Sequence, residues 1–87
     1  MQIIENHAEI SGTLHDVCPC PDRPGFVALR VHIAAAHPVE GWPNLLEHQV
    51  GETVDVLARH DSAPARLQPG PVCLRVRKGG LTTIFAE

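Results

Sequence analysis

The sequence predicts an all-β domain that folds as a small five-stranded barrel, closed or partly open. Three observations predict it: short segments alternate apolar and polar residues, turn residues separate these segments, and no segment has the length and period of a long helix. The chain has 87 residues, which leaves room for one core, so we expect a single domain over residues 1–87. Closing the sheet removes edges that so short a chain could not otherwise cover.

The first half of the chain predicts two strands. Residues 8–15 alternate with a period of two, and Gly12 within them predicts a bend or a bulge. Residues 27–33 alternate in the same way and predict the second strand. Between them, residues 18–25 contain three prolines and a glycine, which predicts a loop. Residues 34–49 begin with three alanines but carry Pro and Gly soon after, so they predict a long irregular connection with at most a short edge strand or helical turn.

The second half predicts three more strands. Residues 54–58 and 72–76 alternate, residues 60–68 form at most a helical turn, and residues 81–85 predict a short last strand. The Gly-Gly pair in residues 78–80 suits a tight hairpin, because glycine accepts the positive φ that such turns need. The residues expected to fill the core are Ile10, Leu14, Val27, Leu29, Val31, Val54, Val56, Val72, Leu74 and Val76.

An OB-like topology fits five strands with a long third connection; an SH3-like barrel and an open sandwich are the alternatives. Three segments read Ile10-Ser-Gly-Thr-Leu14, Leu67-Gln-Pro-Gly-Pro-Val72 and Leu74-Arg-Val-Arg-Lys78. Together they resemble the opening strand, a late turn and the closing strands of TOBE domains, OB-type barrels attached to transporter ATPases and molybdate-binding proteins. The resemblance implies binding or regulation rather than catalysis. The chain departs from that pattern in its proline-rich cysteine segment, in the region of Trp42 and in having no ATPase domain.

Charge and composition exclude some functions. The net charge is −3 with histidine neutral, and the aromatic residues are two Phe and one Trp. This balance disfavours nucleic acid, which needs a basic groove and several stacking aromatics. The sequence shows no signal-peptide pattern and no apolar run of membrane-spanning length, so we expect a cytoplasmic location with reduced cysteines and no membrane contact. Homo-oligomerisation stays open, since the core is small.

The segment around His15, Cys18 and Cys20 is the most distinctive. Imidazole and thiolate are ligands that Zn²⁺ and Cu(I) prefer, so these three residues are the candidate metal site. A structural zinc site normally has four ligands, and no second cysteine pair follows. The alternative interpretation is a stiff loop with two incidental thiols and no cofactor. The other five histidines are scattered in a manner typical of surface residues.

Four further residues are candidates for ligand binding. Arg30, Arg75 and Arg77 project from the second and fourth strands at alternating positions, which predicts a positive outer face for a small anion or an acidic partner. Trp42 could anchor a partner or plug one end of the barrel. Serine residues lack the context of an activated nucleophile. We therefore expect a binding or interaction module with a protein partner or small ligand, not an enzyme; metal binding at the cysteine segment and nucleic-acid binding by an OB fold are the alternatives.

Overall fold

The computed structural model describes residues 6–44, 46–79 and 83–87 and shows five strands wound into a closed barrel. The strands are β1 (Ala8–Pro19), β2 (Phe26–Pro38), β3 (Thr53–Arg59), β4 (Gly70–Lys78) and β5 (Ile84–Ala86). Around the barrel their order is β1-β2-β3-β5-β4. Among the strand pairs of the described residues, only β3 and β5 run parallel. The predicted all-β, OB-like barrel is therefore confirmed.

Two bulges bend the long hairpin formed by β1 and β2. Ser11 faces Ala35 and Gly12 faces Ile33, so Ala34 is the extra residue of β2. The second register shift falls between Leu14 and Asp16 on β1. A Cβ atom on Gly12 would lie 1.8 Å from the carbonyl oxygen of His32. The predicted bulge is thus present, and glycine is required there because the two backbones approach too closely for any side chain.

Residues 34–38 continue β2, so the prediction that an irregular connection begins at residue 34 was wrong. Residues 34–36 are all alanine, so the sequence shows no alternation of apolar and polar residues there. The bulge at Ala34 shifts the alternation by one residue, and Ala36 then packs against the core. The bulge therefore hides the strand from a period-two pattern.

Cys18 and Pro19 lie at the end of β1 and pair with β2, so the predicted loop over residues 18–25 is shorter than expected. β4 accompanies β1 only as far as Leu14, and beyond it β1 pairs with β2 alone in the described part of the chain. A proline is tolerated on such an edge because no backbone N–H is needed on the open side. The edge position explains why proline did not end the strand.

Aliphatic side chains fill the barrel. The buried ones are Ala8, Ile10, Leu14, Leu29, Val31, Ile33, Leu46, Val56, Ala58, Leu74, Val76 and Ile84. The expected core residues Val27, Val54 and Val72 are partly buried and pack against this cluster. Leu46 and Ile84 were not in the predicted core, because one comes from an irregular connection and the other from a three-residue strand.

The connections that follow β2 and β3 are longer than the one between β1 and β2. Residues Glu47–Gln49 and Ala63–Arg66 form 3₁₀ turns, and no helix among the described residues has the length and apolar character to cross a membrane. β4 and β5 are antiparallel neighbours, and the Gly79 N–H donates to the carbonyl of Thr83 over 2.9 Å. The predicted hairpin at 78–80 and the predicted last strand over 81–85 fall partly on residues 80–82, which lie outside the described residues.

Candidate functional site

The connection from β1 to β2, residues 20–25, is a tight turn tied to the end of β3. The Cys20 N–H donates to the Phe26 carbonyl over 3.3 Å, and the Arg23 N–H donates to the Cys20 carbonyl over 3.1 Å. The Gly25 carbonyl accepts hydrogen bonds from the backbone N–H of His60 over 2.9 Å and from its Nδ1 over 3.0 Å. These bonds fix the conformation of the turn, so the side chains that the turn carries are preorganised for binding.

A cavity of about 260 Å³ opens beside this turn, on the outer face of β1, β2 and β3. We call it the loop pocket. Its lining consists of Asp16, Cys18, Pro19, Cys20, Pro21, Ala28, Arg30 and Asp55. The pocket arises because outward-facing residues of three neighbouring strands meet below the proline-rich turn. Its volume lies below the roughly 300–1,000 Å³ of typical small-molecule sites, so it suits a single side chain or a very small ligand.

The polar groups of the loop pocket pair with one another. Arg30 Nε lies 3.4 Å from Asp55 Oδ1, and both side chains are about half exposed. The Cys18 thiol donates to Asp16 Oδ1 over 3.1 Å. This hydrogen bond, together with desolvation and the negative charge of Asp16, raises the pKa of Cys18 above its usual value. The raised pKa disfavours the thiolate, which is the form that acts as a nucleophile and as a metal ligand.

The predicted metal residues are only partly brought together. Cys18 and Cys20 both line the loop pocket, whereas His15 is exposed at the β1 bulge and is not part of the lining. Over residues 6–44, 46–79 and 83–87, the structure shows no group of three or more His, Cys, Asp or Glu side chains placed to hold a metal ion.

A second surface includes Arg23 of the same turn and neighbouring residues of β2, β4 and β5. Phe85 of β5 packs edge-on against Phe26 of β2, with ring centroids 6.1 Å apart. The guanidinium carbons of Arg23 and Arg77 lie 5.5 Å and 5.0 Å from the centroid of Phe85. We call these four residues the Phe–Arg cluster. Gly79 leaves the space that the Phe85 ring needs, since a Cβ atom there would come within 2.4 Å of Cε2.

The three predicted arginines do not form one face. Arg30 pairs with Asp16 across the β1–β2 ladder, whereas Arg75 pairs with Glu9 across the β1–β4 ladder, seven residues away along β1. In the barrel order β1 separates β2 from β4. The sequence could not show this, because the alternation gives the face of a strand but not its neighbours. Arg30 belongs to the loop pocket and Arg77 to the Phe–Arg cluster.

Arg75 and Trp42 belong to a third region. Arg75 Nε lies 3.6 Å from Glu87 Oε2, and His7 Nδ1 lies 2.6 Å from Glu87 Oε1. The Trp42 ring meets the His7 ring edge-on at a centroid distance of 4.7 Å. Trp42 keeps 39% of its surface exposed, whereas Leu46 is fully buried in the core.

Sequence reasoning missed the site roles of Arg23, Phe26 and Phe85, and of the pocket carboxylates Asp16 and Asp55. A signal for Phe26 was present: it shares the outward parity of Ala28 and Arg30 on β2, opposite to the buried Leu29. Asp55 gives no comparable signal, because it meets Arg30 only through the β2–β3 register; Asp16 and Cys18 meet locally, as residues two apart on β1.

No protein-family model, curated protein or solved structure matches the chain. The likeness to OB-type barrels therefore rests on the strand number, order and closure described above.

Proposed function

We propose that the chain is a non-enzymatic interaction module whose loop pocket receives a cationic side chain of a protein partner. The observation that carries the proposal is the loop pocket itself: its lining combines two carboxylates with one guanidinium in a cavity of about 260 Å³. A small volume with a net negative lining favours the end of a Lys or Arg side chain over an anion. Between the two ligand classes predicted from the sequence, this balance favours the protein partner.

The chemistry of the pocket supports binding rather than catalysis. The Asp16 hydrogen bond disfavours ionisation of the Cys18 thiol, and a thiol must ionise to act as a nucleophile. Arg30 already contacts Asp55, so its guanidinium is held in place and shapes the pocket wall. The TOBE resemblance, which implies binding or regulation, favours the same function. We place the module in the cytoplasm, where Cys18, Cys20 and Cys73, all free thiols, stay reduced.

Nuclear magnetic resonance titration tests the proposal. The probes are the N-acetyl methylamides of lysine, arginine and glutamate, added to the ¹⁵N-labelled full chain. The lysine or arginine probe should shift the backbone amides of Ala28, Arg30 and Asp55, and the glutamate probe should not. Asp55→Asn should weaken this binding by about fivefold, since it removes one carboxylate at a half-exposed site.

Asp61→Asn is the matched control. Asp61 is also a half-exposed carboxylate beside an arginine, with Oδ1 3.5 Å from Arg59 Nε, but it lies outside the pocket. The control should leave the titration unchanged. Shifts that map elsewhere on the barrel, tighter binding of the glutamate probe, or equal losses in both variants would overturn the proposal.

A further inference from the structure

We propose that the Phe–Arg cluster is a second binding surface, specific for an acidic peptide segment of a protein partner that also carries apolar side chains. The inference rests on the proposed role as an interaction module but concerns residues outside the loop pocket. Arg23 and Arg77 form no ion pair with any residue in the described part of the chain, whereas Arg30, Arg59 and Arg75 each lie within 3.6 Å of a carboxylate.

Both guanidinium groups are held near one point. Each lies within 5.5 Å of the centroid of the Phe85 ring, which holds them by cation–π attraction. Arg77 faces Phe85 directly across the β4–β5 ladder, and Arg23 is fixed by the turn that Gly25 and His60 anchor to β3. The two planar guanidinium groups, which no carboxylate of the described residues neutralises, form a preorganised receptor for carboxylates.

The surface beside these charges is apolar. Phe26, Leu57 and Phe85 face outward on β2, β3 and β5 and are only partly buried. Leu57 pairs with Phe85 in the ladder that joins β3 to β5. An occupant that satisfies both features needs carboxylates for the two arginines and apolar side chains for this strip.

Single-stranded nucleic acid fits the cluster less well. Stacking requires an open aromatic face, but the Phe85 ring already lies against two guanidinium groups and the Phe26 ring. Phosphate backbones bind by neutralising many charges, and this chain carries a net charge of −3. The acidic peptide therefore fits both the two arginines and the apolar strip, whereas a nucleic acid lacks the open ring face and the many positive charges that it needs.

Fluorescence anisotropy with three labelled probes tests the inference. The probes are a 14-residue peptide in which Glu alternates with Leu and Phe, the same peptide with Gln for every Glu, and a 14-nucleotide single-stranded DNA. The acidic peptide should bind saturably, and raising the salt should weaken it. Arg77→Gln and Arg23→Gln should each weaken it by about tenfold, the loss of one charged hydrogen-bonding group.

Arg66→Gln is the matched control, since Arg66 is also an exposed arginine without an ion pair in the described residues but lies outside the cluster on the second 3₁₀ turn. It should change the affinity by less than about twofold. Absent peptide binding, equal binding of the Gln peptide, tighter binding of the DNA or insensitivity to Arg77→Gln would each overturn the inference. If the lysine or arginine probe still binds the loop pocket while the acidic peptide fails, only this inference falls; if neither binds, the proposed function falls as well.

Discussion

The two surfaces that flank the β1–β2 turn differ in how their charges are used. In the loop pocket each charged group has a partner, Arg30 with Asp55 and Asp16 with the Cys18 thiol. In the Phe–Arg cluster the two guanidinium groups contact an aromatic ring instead of a carboxylate. The outer surface of one barrel thus carries both a net negative cavity and a net positive strip, which meet where Ala28 pairs with Leu57. The net charge of −3 therefore averages over two surfaces of opposite local charge.

The largest expected effect concerns the hairpin that carries both surfaces. Gly12→Ala places a Cβ atom 1.8 Å from the His32 carbonyl oxygen, so β1 and β2 must separate. We expect a loss of about 3 kcal/mol or more in the free energy of unfolding, measured by urea denaturation. Gly51→Ala, where no atom lies within 4 Å but φ is +91°, should cost only about 1 kcal/mol. Equal losses in the two variants would show that the hairpin is not as close as described.

Truncation of the core should lower the stability of the barrel that carries both surfaces. Val31 is fully buried on β2, and Val31→Ala should lower the free energy of unfolding by about 2–3 kcal/mol. Val50→Ala removes the same atoms from a side chain that is 44% exposed and should change stability by less than about 0.5 kcal/mol. Thermal or urea unfolding measures both, and an undiminished stability of Val31→Ala would mean that the inward face of β2 is misassigned.

A substitution at Gly79 should separate the two surfaces. The new Cβ atom would come within 2.4 Å of the Phe85 ring, so Gly79→Ala should rotate the ring and release the guanidinium groups, at a cost of about 1–2 kcal/mol. The ring protons of Phe26 and Phe85 should shift in the nuclear magnetic resonance spectrum. The amides of Ala28, Arg30 and Asp55 should stay in place, and their movement would contradict the independence of the loop pocket.

The smallest effect concerns the Cys18 thiol. Asp16 accepts its hydrogen bond and repels the thiolate, and both effects raise the pKa of Cys18. In a Cys20→Ser, Cys73→Ser background, Asp16→Ala should therefore lower that pKa and move the pH profile of iodoacetamide alkylation to lower pH. Asp61→Ala is the control and should leave the profile unchanged. A profile that moves to higher pH in Asp16→Ala would reverse the assigned role of the carboxylate.

The sequence predicted the barrel because period-two alternation survives in four of its strands and marks their inward faces. It failed where a bulge shifted the alternation, at Ala34, and where an edge position tolerated proline, at Pro19. It placed Arg30 and Arg77 on outward faces correctly, but it could not assign them to different sites. That assignment depends on the barrel order, in which β1 separates β2 from β4, and strand order follows from closure rather than from any local pattern.

The most direct test is a set of binding titrations that combines two variants with two probes. Wild type, Asp55→Asn and Arg77→Gln are each titrated with the N-acetyl methylamide of arginine and with the Glu-Leu-Phe peptide. The account predicts that Asp55→Asn weakens only the arginine probe and that Arg77→Gln weakens only the acidic peptide. If each variant weakened both probes equally, or if neither variant weakened either probe, the assignment of two separate binding surfaces to this barrel would be contradicted.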